Sequence, residues 1–278
     1  CIRDRIYFYG GEPLLHPELC DFIEYAVKKG IYPVLGTNGL LLREDKVADL
    51  YRAGLRNLSI GIYGTGQDYD AYVDRRDSFD RLQKNVELIR SQYPDMRVFL
   101  AWLLMKPTCN VASVREIWEF AKKNGTPFSV NLIHYDFPYF NEGPEGELQL
   151  YEEDRPSILA VVEELQRLKS LDPDLMTNSE IGLRSIPDWL IKKQNMRVRC
   201  NMHDNIWVGP DGTVMVCQKN LVLGNLQETR MRDILYTKEH VDSAQACFKL
   251  ECSNCHVRFD TRTLEDPVAR ARYESQLG

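Results

Sequence analysis

Along the first half of the chain the spacing of apolar residues switches repeatedly between two periods. Short β-type runs occupy 3–9, 32–37, 57–63, 97–105 and 128–135. Between them, at about 17–29, 43–53, 78–91 and 111–124, apolar residues recur at helical spacing. In the first helical stretch Leu19, Phe22, Ile23, Ala26 and Val27 make the apolar face. Strands alternating with helices predict a parallel sheet with right-handed crossovers, and ligand chemistry at the carboxyl ends of its strands. Five such units fall short of an eightfold barrel. Residues 141–153 are acidic and rich in Gly and Pro, which reads as an exposed loop. Ile158, Val161, Val162, Leu165 and Leu168 then mark a helix that ends near Leu171-Asp172-Pro173. Farther on, two alternating runs flank Pro210-Asp211-Gly212, the signature of a β-hairpin turn. The stretch 172–196 carries no functional signal.

Composition narrows the classes. The 278 residues are 44% hydrophobic and 27% charged, as in ordinary globular domains, and suffice for one large domain plus a small one. A net charge of −6 argues against nucleic acid as a bulk electrostatic partner. No run approaches the roughly 18 apolar residues of a membrane span, so no membrane partner is expected. Five of the eight cysteines, Cys200, Cys217, Cys247, Cys252 and Cys255, crowd into the last third. Such crowding in a chain of this size favours a metal site over a disulfide scaffold, and with it a reducing, cytoplasmic compartment.

Candidate chemistry begins at the first strand end. The run Tyr7-Phe8-Tyr9 leads into Gly10-Gly11-Glu12-Pro13, two glycines that let a ligand approach the backbone and a carboxylate that could grip a cation such as an α-ammonium. Thr37-Asn38-Gly39 follows the second strand, and reads equally as an Asn-Gly turn. His134, Tyr135 and Asp136 end the fifth strand, before the aromatic run Phe137-Pro138-Tyr139-Phe140, a candidate substrate side. Cys200 and Cys217 flank the hairpin, and Cys252-Ser253-Asn254-Cys255 is a Cys-x2-Cys knuckle. Four such thiols suit a tetrahedral zinc or an iron–sulfur cluster alike. Cys247 is left as an alternative ligand or a buried thiol.

Gly10-Gly11-Glu12-Pro13-Leu14-Leu15-x-Pro17 closely resembles the segment that holds the methionine amino group of S-adenosylmethionine (SAM) in radical SAM enzymes. Thr37-Asn38-Gly39 before Leu40-Leu41 resembles that family too, as does Ser59 in the third strand. The resemblance implies that Gly10, Gly11, Glu12, Pro13, Thr37, Asn38 and Ser59 bind SAM, with Arg75 or Arg76 on its carboxylate. Cys200-x11-Gly212-x4-Cys217 resembles the opening of the SPASM or twitch modules that carry auxiliary clusters in the same family, and Leu223-Gly224-Asn225-Leu226 continues the likeness. It implies Cys200, Cys217, Cys252 and Cys255 as ligands of an auxiliary iron–sulfur cluster. No cysteine follows Cys255, which favours the shorter twitch form with one cluster.

The implied fold is α/β: a partial (β/α)6 TIM-like barrel lacking its first strand at 1–140, a linker at 141–196, a cluster domain at 197–260 and a C-terminal helix at 261–278. The implied chemistry is hydrogen abstraction by a 5′-deoxyadenosyl radical from a peptide or small molecule, fed by a donor such as flavodoxin or ferredoxin. The family's SAM-binding 4Fe–4S cluster takes Cys-x3-Cys-x2-Cys, which does not occur in these 278 residues. The expectation is that this motif lies upstream, and that the chain as it stands does not perform the radical step. The rival expectation is a non-catalytic α/β binding module with a structural four-cysteine zinc site.

Overall fold

The computed structural model describes residues 5–135, 143–217, 221–252 and 255–276. The chain divides into two compact units. One comprises the chain up to Ile133 together with Pro156–Asn178, the other His134–Arg155 together with the chain from Ser179. The division does not fall at 140 and 197, where the sequence pattern put its boundaries. Residues 156–178 of the expected linker belong with the sheet, and 179–196 belong with the cysteines.

The first unit is built on β1 (Arg5–Phe8), β2 (Tyr32–Thr37), β3 (Asn57–Ile62), β4 (Arg97–Leu104) and β5 (Phe128–Leu132). They pair in chain order, all parallel. The crossovers hold α1 (Leu19–Lys28), α2 (Glu44–Arg52), α3 (Gly66–Tyr72), α4 (Ser78–Gln92) and α5 (Val111–Asn124). Strand side chains alternate between faces. One face carries Leu58, Ile60, Ile62, Val98, Leu100, Trp102 and Leu104, all buried. A β-carbon at Gly39 would meet both Leu82 of α4 and Ile60, which places the helices on that side. The other face carries Gly36, Ser59, Gly61, Ala101 and Ser129, small residues that are only partly buried.

The outer edge of β5 is covered. Phe128 donates to the Leu175 carbonyl, Thr177 donates back to Phe128, and the Asn178 amide exchanges two bonds with the Val130 backbone. That short parallel segment follows α6 (Arg155–Leu171) and stands where a further strand would pair. The other edge strand, β1, exposes Ile6 and Tyr7.

In the second unit, α7 (Glu180–Lys192) packs on α10 (Phe259–Glu265) and α11 (Pro267–Glu274). The expected single C-terminal helix is thus two, separated by Asp266, which caps the second by accepting from Val268 and Ala269. The hairpin expected around Pro-Asp-Gly is present as β6 (Trp207–Val208) and β7 (Thr213–Met215), joined antiparallel by β8 (Val222–Asn225). Then come α8 (Met231–Ile234) and α9 (Lys238–Lys249). Among the described residues no helix is long and apolar enough to cross a membrane.

Candidate functional site

Two sets of residues carry chemistry, one in each unit. In the first unit β1 runs directly into Gly10 and Gly11, and β2 into Thr37, Asn38 and Gly39. Glu12 ties the two strand ends together. One carboxylate oxygen accepts from Thr37 Oγ1 at 2.8 Å and from the Leu14 N–H at 3.1 Å; the other accepts from the Asn38 N–H at 3.0 Å. The second turn is held in turn by Gly39 N–H on Thr37 Oγ1, Leu40 N–H on Asn38 Oδ1, and Asn85 on the Gly39 carbonyl. Pro13 opens the short 3-10 turn that Glu12 caps.

A carboxylate offers about four acceptor positions. The three donors among the described residues leave one position open, and Glu12 holds both turns. Nothing lies within 4 Å of where a β-carbon of Gly10 or Gly11 would stand. The backbone is bare there and open. Gly10, at φ +150°, also has a conformation that other residues avoid.

Ser59 lies on the small-residue face, in register between Gly36 and Phe99. Arg75 and Arg76 are both exposed, and the structure does not single out either. Aromatic residues that the sequence pattern passed over stand at this same end. A β-carbon at Gly36 would clash with the Tyr9 ring, and one at Gly61 with the Tyr63 hydroxyl, each at 2.8 Å. Tyr63 stacks on Tyr72 at 4.2 Å between centroids. Burial pushes its phenol pKa up, and Tyr72, Tyr9 and Glu12 add to the shift. Gly36 and Gly61 thus make room for rings over an otherwise open face. Their only signal in the sequence was a glycine within each strand.

In the second unit Cys200 and Cys247 are both buried, with their sulfurs 3.5 Å apart. Met202 packs with them, and Trp207, Leu221, Leu250 and Val257 close around the group. The Met202 N–H points at Cys200 Sγ. The Cys247 thiol donates to Cys200, which favours the thiolate at Cys200 and holds the proton on Cys247. Cys217 and Cys252 lie near enough to act on Cys247 electrostatically. Cys255 is buried too, with its carbonyl accepting from Arg262; together with Cys252 it acts on Tyr135.

Arg262 itself is buried and reaches three carbonyls, those of Val198, Arg199 and Cys255, while lying over the Trp189 ring. It ties the segment leading to Cys200 to the segment carrying Cys255. His134 and Tyr135 group with His256, at 4.6 and 5.0 Å between ring centroids. Asp136 and Phe137–Phe140 lie outside the described residues.

The expected four thiols, Cys200, Cys217, Cys252 and Cys255, all lie in this unit. Among the described residues no three potential ligand side chains converge as a metal site, and one thiol contact brings in Cys247, which the spacing pattern had left over. Unscreened thiolates repel, and such sites close only around their metal. The donors nevertheless fit an iron–sulfur group. Among the described residues no disulfide forms, and the indole N–H of Trp207, a residue packed against the Cys200–Cys247 group, is buried without a hydrogen-bond partner. A donor left over beside thiols suits a thiolate or sulfide acceptor.

Comparison with known proteins gives both units relatives. Residues 2–121 match the family model of the radical SAM superfamily, and residues 200–256 match that of the SPASM iron–sulfur cluster-binding domain. An AdoMet-dependent heme synthase of Methanosarcina barkeri is 34% identical over 82 residues, 29% of this chain and 24% of the relative. An Fe-coproporphyrin III synthase of the same organism is 24% identical over 165 residues, 59% of this chain and 40% of the relative. The matches thus span well under half the length of these relatives. Native anSMEcpe with bound AdoMet and the Cp18Cys peptide superposes with a TM-score of 0.65 at 19% identity, over 92% of this chain and 74% of that one. That likeness is one of fold.

Proposed function

We propose that this chain, which belongs to the radical SAM superfamily and carries a SPASM iron–sulfur cluster-binding domain, is part of an enzyme that abstracts hydrogen from a peptide or small molecule. The observation that carries this reading is the Glu12–Thr37–Asn38 junction beside the open backbone of Gly10 and Gly11. Two motifs 25 residues apart in sequence meet there through one carboxylate.

SAM held at this junction would supply the 5′-deoxyadenosyl radical chemistry of hydrogen abstraction, with a 4Fe–4S cluster whose Cys-x3-Cys-x2-Cys ligands do not occur in these 278 residues. The chain's own residues bind and orient. Gly10 and Gly11 admit the methionine end against the backbone, and Glu12 offers its remaining acceptor position to the ammonium. Thr37 and Asn38 hold that carboxylate in place, Pro13 fixes the turn, and Ser59 lies deeper on the same small-residue face. Tyr9 and Tyr63 narrow the opening and exclude water from it.

The finer architecture we infer is the partial (β/α)6 barrel. Its support is the parallel segment at 175–178 along β5 and the uncovered edge of β1, where a further strand would pair. The cysteines of the second unit hold the auxiliary cluster, for electron transfer to or from the substrate. A donor of the flavodoxin or ferredoxin class and a reducing, cytoplasmic compartment complete the reading. Both substrate classes stay in it, since one relative is named for heme and a structure of similar fold holds a peptide.

Gly11→Val tests the site at a position where an added β-carbon meets nothing within 4 Å. In equilibrium dialysis against labelled SAM we expect saturable binding by the wild type and a loss of about tenfold or more in the variant, about 1.4 kcal/mol. Equal binding by both would remove this junction as the SAM site.

A further inference from the structure

Trp207 stands among the thiols of the second unit without being one of their ligand type. We infer that its indole N–H donates a hydrogen bond to a sulfur of the auxiliary cluster and thereby raises the cluster's reduction potential. The inference rests on the reading of this unit as an iron–sulfur site, and it adds a residue that tunes the site without ligating it.

Three observations carry it. The first is the donor itself. Trp207 Nε1 is buried and has no hydrogen-bond partner among the described residues. Folded proteins rarely bury a donor in this way, since the group loses water and gains no bond. An indole nitrogen can only donate, so an acceptor is what would complete it. The second is orientation. Trp207 is partly exposed as a residue, yet its N–H is buried, so the N–H edge of the ring is turned inward. The third is company. Trp207 packs against the buried group of Cys200, Met202 and Cys247. In the hairpin it pairs with Met215, two residues before Cys217 in the chain.

A second donor points to the same place, the Met202 N–H at 3.5 Å from Cys200 Sγ. The surroundings of that sulfur are thus built to stabilise negative charge. Other indoles of the chain differ. Trp189 Nε1 donates to Thr263 Oγ1 at 3.0 Å. Trp102, whose N–H is also unpartnered, lies in the sheet of the first unit between Ile62 and Val130. Trp207 combines an unpartnered N–H with neighbouring thiols.

The effect on potential follows from charge. Reduction adds one electron to a cluster and moves no proton, and the added charge spreads over its sulfurs. An N–H dipole aimed at one of them stabilises the reduced form more than the oxidised form, and hydrogen bonds to sulfur are among the factors that set such potentials.

The test is anaerobic reconstitution of the chain with iron and sulfide, followed by a reductive titration read by electron paramagnetic resonance. Trp207→Phe keeps a buried ring and removes the N–H. With iron and sulfide at the wild-type level, its reduction equilibrium should be about tenfold less favourable, a midpoint potential lower by about 59 mV for a one-electron couple. An equal or higher potential in the loaded variant would overturn the inference. Should the variant fail to take up the cluster, the wild type decides. With tryptophan labelled by nitrogen-15 in the indole, the reduced cluster should show hyperfine coupling to that nitrogen, and a spectrum without it would contradict the bond. Zinc without sulfide in the wild type would end the cluster reading itself, before any variant is compared, and this inference with it.

Discussion

Glu12 and Glu164 show how differently two carboxylates can be employed. Glu12 joins two strand ends and retains an acceptor position; Glu164 is buried between two guanidinium groups, Arg115 at 2.6 Å and Arg167 at 2.8 Å. Those hydrogen bonds, Arg167 first and then Arg115, hold the Glu164 pKa down at about 2, against an ordinary value of 4.5. A depressed carboxylate contributes stability above its unfolded pKa and loses it as pH falls through the folded one. Both arginines are more than half exposed, so solvent screening reduces the contribution to about 1–2 kcal/mol. Glu164→Gln should lower unfolding stability by that amount at pH 7, and the gap to wild type should close between pH 4.5 and 2 in denaturant titrations. A gap unchanged with pH would assign the effect to packing. Glu12 drew notice in the sequence through the resemblance of Gly10-Gly11-Glu12-Pro13 to a family motif, since two glycines and a carboxylate alone also make an ordinary turn. The places of Cys247 and Arg262 were not legible. Cys247 lacks the two-residue spacing that marks a knuckle, and Arg262 sits in a charged tail whose burial only the fold creates.

At the scale of elements, β2, β3 and β4 could be read almost residue by residue, since one buried face and Gly or Pro punctuation give each a clear period, whereas β5 ends at Leu132 and not at the expected 135. The helix α7 could not. Pro187 stands inside it, and Ile181, Leu183, Ile186, Trp189 and Leu190 are buried around it, so neither a stripe nor an uninterrupted run announces a helix. Its packing depends on Gly182, where a β-carbon would strike the Asp260 carboxylate. That carboxylate caps α7 through the Ser179 N–H and hydroxyl, both at 2.9 Å. Trp189 Nε1 and Ser185 Oγ meet Thr263 one turn farther on. Gly182→Ala should therefore cost about 2–3 kcal/mol by forcing the helices apart and loosening the cap. Thermal unfolding of the variant measures this, and an unchanged midpoint would show that α10 yields without cost. The helix α9 escaped notice for the opposite reason: only His240 and Cys247 in it are buried.

At the scale of the molecule, two units carry two sets of candidate residues that sequence spacing alone leaves ambiguous. Four thiols suit zinc and iron–sulfur clusters equally, and a parallel sheet hosts many unrelated functions. What joins them is the pair of family matches, one on each unit, together with an open glycine turn in the first and clustered thiols in the second. The measurement that tests this account most directly is the iron, sulfide and zinc content of the chain, purified and reconstituted without oxygen. The account predicts iron with about one sulfide per iron and little zinc, as a cysteine-held cluster requires. One zinc per chain with no sulfide would contradict it and leave a structural zinc site in its place.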